Sequence, residues 1–116
     1  MEDPASPYVL HPSDNPGISL VTQSLNGDNF SSWFRSMRMA LIAKNKLAFV
    51  DGSIPEPPID DPLHHSWRRN NNIVASWILN SVSKELSASI VYSSSARAIW
   101  IYLQEHFQQS NAPRIF

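Results

Sequence analysis

The most regular pattern of apolar and polar positions lies in residues 25–54. Phe30, Trp33, Phe34, Met37, Ala40, Leu41 and Lys44 recur at spacings of three and four, which places them on one face of an α-helix. Gly27-Asp28-Asn29 precedes the run and supplies a turn and an N-cap, because a short side-chain oxygen there accepts a bond from an orphan backbone N–H. Asn45 is the expected stop. Leu47, Ala48, Phe49 and Val50 then form a short apolar hook, closed by the turn dipeptide Asp51-Gly52. The pattern predicts a helix that buries one aromatic-rich side, followed by a tuck back onto the same core.

Further along, Ile54-Pro55-Glu56-Pro57-Pro58-Ile59 is a stiff connector. Asp61 as N-cap and Pro62 at the first helical position start a second helix over residues 62–80. Its buried face is expected to hold Leu63, Trp67, Val74, Trp77, Ile78 and Ser81. Asn70-Asn71-Asn72 interrupts this stretch with poor helix formers, yet the apolar period resumes in phase. A third, shorter helix starts at Ser83-Lys84-Glu85-Leu86, with Leu86, Ile90 and Val91 pointing inward, and ends in Tyr92-Ser93-Ser94. Ser94 or Ser95 caps a fourth helix that buries Ile99, Trp100, Leu103 and Phe107. Ile101 and Tyr102 sit off that face and are apolar, which makes them candidates for a protein interface. Residues 1–17 hold four prolines, and residues 18–25 alternate only weakly. The expected architecture is therefore all-α: a small orthogonal bundle of four or five short helices over residues 25–109. An extended Pro-rich arm over residues 1–24 precedes it, and residues 110–116 form a linker and the start of a further helix.

Composition narrows the function classes. A chain of 116 residues is one small domain, able to bury about 65% of the surface it exposes when unfolded. The net charge of −1 gives no overall pull toward nucleic acid or membrane. The distribution is less even, because residues 29–50 carry Arg35, Arg38, Lys44 and Lys46 and no acid, between two acidic segments. The simple reading is a solvated helix face; the alternative is a weak, salt-sensitive RNA contact through those four residues. The absence of cysteine excludes disulfides, zinc knuckles and thiol catalysis within the chain. No secretory signal or apolar run of ~18 residues is visible, so a cytoplasmic protein without a membrane partner is expected. The four histidines are not spaced as ligands, and no nucleophile elbow, phosphate loop or zinc motif occurs. No enzyme, cofactor, metal or small-molecule substrate is expected.

Several segments, in order, resemble one known family. HPSDNPG (residues 11–17), the spacing Trp33, Met37, Leu41, and the hook ending Val50-Asp51-Gly52 resemble the N-terminal region of the Gag polyprotein of plant copia-type LTR retrotransposons. Trp67, then Trp77-Ile78 with Leu79-Asn80-Ser81, and the run through Trp100, Leu103 and Phe107 are similar to the family's later helices. The resemblance implies a helical, capsid-like, non-enzymatic module whose role is self-assembly into a particle that packages element RNA. Self-association is thus the expected partnership and RNA the second. The family's zinc knuckle and enzymes lie downstream and none is in this chain. Ile101 and Tyr102 depart from the acidic residues usual after the last Trp, and the capsid module is expected to be truncated. A truncated or domesticated element fragment fits both departures, as does a decayed one without selected activity.

Overall fold

The computed structural model describes residues 5–93 and 95–110. Among the described residues five helices follow one another: α1 (Phe30–Ala43), α2 (Ala48–Asp51), α3 (His64–Leu79), α4 (Lys84–Ile90) and α5 (Ala96–Ser110). The described residues form no β-sheet, only a single parallel bridge between Leu25 and Val82. The fold is a small all-α bundle in which α5 packs on α2 and α3, and α2 packs on α3.

The first helix follows its periodicity. Phe30, Trp33, Met37 and Leu41 are buried, and Phe34, Ala40 and Lys44 are half-buried beside them. It stops at Asn45, which takes the left-handed conformation with φ 60°. Asn45 N–H bonds Ile42 O at 2.9 Å and Lys46 N–H bonds Leu41 O at 2.8 Å, so two orphan carbonyls are satisfied by a Schellman turn. The start differs from the sequence expectation. Asn29 sits at φ −112°, ψ 27° and makes no side-chain cap. Its amide instead reaches backward, accepting from Asn26 N–H at 3.1 Å and donating to Ser24 O at 3.0 Å. The hook condenses to the single turn α2 and reverses at Gly52, φ 89°.

Helix α3 begins two residues later than expected. Asp61 Oδ1 does accept from Leu63 N–H at 2.8 Å, but a turn closed by His64 N–H to Asp61 O at 3.0 Å intervenes. Leu63 therefore lies ahead of the helical face and is 48% exposed, not buried. Ser83 caps α4 by accepting from Leu86 N–H at 3.4 Å. Ile90 is buried, but Val91 is 48% exposed because it follows the last helical residue and turns outward. Ser95 caps α5 through Ala98 N–H at 3.0 Å. The alternative cap, Ser94, and the predicted further helix beyond residue 110 lie outside the described residues.

The two central asparagines of α3 are buried, Asn70 fully and Asn71 to 5% exposure. Asn71 Oδ1 accepts from Ala96 N–H at 2.8 Å, so one helix supplies a cap to the first turn of another. The core itself is aromatic. Phe30 stacks on Phe107 at 5.5 Å, Phe34 on Trp100 at 4.6 Å, and Trp33 lies 6.2 Å from Trp100.

The N-terminal arm is not extended. Turns at residues 6–9, 11–14 and 15–18 fold it into a strap across the bundle. Prolines leave its carbonyls without local donors, and side chains of the bundle provide them. Lys46 Nζ donates to Pro7 O at 2.6 Å and Val9 O at 2.7 Å. Asn70 donates to Tyr8 O at 3.1 Å, Trp77 Nε1 to Asn15 O at 2.8 Å and Asn80 to Pro16 O at 2.7 Å. Two other indoles do the same for other connections: Trp33 Nε1 donates to Ser81 O and Trp67 Nε1 to Ile54 O, each at 2.9 Å.

Candidate interaction surface

The four basic residues singled out in the sequence divide into two pairs. Arg35 and Arg38 are exposed on the outer face of α1, one turn apart. Lys44 Nζ sits 2.8 Å from Asp14 Oδ1, whose side chain is 1% exposed. Lys46 is itself only 1% exposed. Its ammonium is consumed by the strap, which removes it as an RNA contact: a buried donor already bonded to two carbonyls cannot reach a phosphate. Burial raises the Asp14 pKa, but the hydrogen bond from Lys44, the His11 N–H and the charges of Lys44 and Lys46 outweigh it and hold the carboxyl below its ordinary value.

Arg38 lines a groove of about 400 Å³ between α1, α2 and α5. Phe34 from α1 also lines it, and Arg97, Trp100 and Ile101 come from α5. Arg97 Nη1 donates to Val50 O at 3.1 Å. The guanidinium rests over Gly52, where a Cβ would lie 2.8 Å from Nη1. Gly52 therefore serves twice, by adopting a left-handed backbone and by leaving room for that seat. Asp51 stands at the same lip. The Ser53 hydroxyl and N–H, and further off Arg97 and Arg38, hold its carboxyl below the ordinary value against the opposing effect of burial.

Ile101 and Tyr102, paired in the sequence reading, are split by the turn of the helix. Ile101 is half-buried in the groove. Tyr102 is 39% exposed, stacks on His106 at 5.5 Å, and borders a different cleft near Ser83 and Leu86. Beside Arg35 and Arg38, the α1 residues Met39 and Ile42 are 58% and 50% exposed. The remaining motif residues Trp33, Met37, Leu41, Trp67, Trp77, Ile78, Trp100, Leu103 and Phe107 are all core. Sequence reasoning missed Arg97 and the interior placement of Asn70 and Asn71; the signal for the asparagines was their poor helix propensity in mid-helix. Among the described residues no cluster of His, Asp and Glu is arranged to hold a metal, and no helix is long and apolar enough to cross a membrane.

Two family models described as the Gag-polypeptide of LTR copia-type match the chain, one over residues 11–58 and one over residues 37–114. The chain belongs to the copia-type Gag-polypeptide family. The longer match begins within α1 and runs through α2, α3, α4 and α5. The retrovirus-related Pol polyprotein from transposon RE2 of Arabidopsis thaliana is 27% identical over 100 residues, covering 78% of this chain. This chain spans 7% of that relative's length. No solved structure matches.

Proposed function

We propose that this Gag module is a non-enzymatic building block that associates with copies of itself, as one layer of a retrotransposon particle. The observation that carries this reading is family membership across the helical core. Support comes from the surface. The side chains that could do chemistry are dispersed or engaged in tying the strap, while apolar residues such as Met39, Ile42 and Ile59 stand in water. Sedimentation velocity across a concentration series tests it. A sedimentation coefficient that rises with concentration is expected, and a strict monomer at the highest concentration overturns it.

RNA contact through α1 is a second reading, which rests on the exposed pair Arg35 and Arg38. Two phosphate contacts to a single strand give a slope of log K against log salt of about −1.4. Absence of binding at low salt, where such contacts are strongest, removes it.

A further inference from the structure

The connector between α2 and α3 presents one of its apolar residues almost wholly to solvent. Ile59 is 86% exposed. Asp61 N–H bonds Pro58 O at 2.9 Å, which closes a four-residue turn with Ile59 and Asp60 at its corners. Pro55, Pro57 and Pro58 stiffen the approach. His64 Nδ1 donates to Pro57 O at 2.9 Å and pins the connector to α3. Glu56, Asp60 and Asp61 flank the isoleucine along the chain; Glu56, 3.9 Å from His64 Nδ1, keeps 53% of its side chain in solvent. An apolar side chain held on a preorganised turn loses little conformational entropy on insertion into a partner.

The groove between α1, α2 and α5 has the complementary character. Phe34, Trp100 and Ile101 line it together with Arg38 and Arg97, and Asp51 is the one acid among its lining residues. Trp100 is only 5% exposed, so it offers no ring face to a stacking base, and the apolar surface open to a partner comes from the half-buried Phe34 and Ile101. An acidic turn with an aliphatic tip suits the groove better than a nucleotide does.

We infer that Ile59 of one copy docks in this groove on a second copy, with Glu56 and Asp60 against Arg38 and Arg97. The inference rests on the self-association proposed above and names its contact. Knob and groove are different surfaces of the same chain, so the contact is head-to-tail and propagates into rings or open arrays. One turn in one groove buries less than the roughly 1,000 Å² of a self-sufficient interface. Each contact is therefore weak, and its charged part is screened by salt.

Sedimentation velocity on the full chain, with variants at two exposed sites, tests this contact. The wild type should associate with rising concentration, less so at high salt. Ile59→Asp and Arg38→Glu should each stay monomeric while melting like the wild type; Ile59→Ser serves as a second knob-deleting variant. Their equimolar mixture should pair and stop at two copies, because it retains one working knob and one working groove. If the wild type associates and the variants associate equally, this contact is wrong while assembly stands. If the wild type stays monomeric at every concentration, both fall.

Discussion

Replacing Lys46 by methionine asks how the strap is held. The change keeps the length and apolar stem of the side chain and deletes the ammonium. Two bonds are lost, to Pro7 O at 2.6 Å and Val9 O at 2.7 Å. Hydrogen bonds to a charged group contribute about 1.5–3 kcal/mol each. Against them stands the effective cost of keeping an ammonium out of water, several kcal/mol. Burial is accordingly the main reason the Lys46 pKa is lowered, with Asp14 raising it and Lys44 lowering it. Pro7 and Val9 are half-exposed, so their carbonyls regain water once released. The net loss is about 1–3 kcal/mol, a drop in melting temperature of roughly 5–15 °C for a domain of this size. The location of the loss is the sharper readout. Amide exchange in the strap, at Val9 and Asp14, should rise about 5- to 150-fold, with less change in α3. A wild-type melting temperature together with unchanged exchange at Val9 would refute the claim that this ammonium holds the strap.

Three further outcomes are expected. Asn71→Ala removes the acceptor for Ala96 N–H and should cost about 1–3 kcal/mol; exchange at Ala96 and Ala98 should rise most, and a protected Ala96 amide counts against the cap. Asp14 has a folded pKa below its ordinary 3.8, so its contribution is complete above that value and declines as pH falls below it toward the depressed folded value. Acid titration of wild type against Asp14→Asn checks this: the variant should be less stable at neutral pH, with the gap closing at low pH, and a constant gap is the opposing result. Trp33→Ala deletes a ring that is 2% exposed and whose N–H is bonded to Ser81 O. It should cost about 3–5 kcal/mol, read by chemical denaturation, and an unchanged midpoint would remove Trp33 from the core.

The helices were legible because their information is local. A period of three to four in residues 30–44, a Ser before each of α4 and α5, and an Asn able to take φ 60° at the end of α1 each act within a few residues. The strap was not legible. Its prolines suggested an extended arm, but the donors that fix it lie far along the chain, Lys46 39 residues from Pro7 and Trp77 62 residues from Asn15. No periodicity records such pairings. The groove was hidden for the same reason, because Arg97 is seated on Val50 O, 47 residues away. The Asn70-Asn71-Asn72 run was the exception. A helix that tolerates poor formers at its centre must use their side chains elsewhere, and Asn71 is used to start α5.

The strap also decides which charges are available to a partner. The four cations of residues 29–50 suggested one basic face. Two of them are taken up by the strap: Lys44 is paired with the Asp14 carboxylate, and Lys46 is buried and donates to two carbonyls, which keeps its ammonium out of direct reach of a partner. The cations that remain outward on α1 are Arg35 and Arg38, with Met39 and Ile42 also exposed on that helix and Arg38 lining the groove. A surface that alternates guanidinium with exposed aliphatic side chains offers few phosphate contacts but suits an apolar tip flanked by carboxylates. The basic segment of residues 29–50 is therefore divided by the fold, its two lysines holding the chain's own arm and its two arginines left exposed on α1.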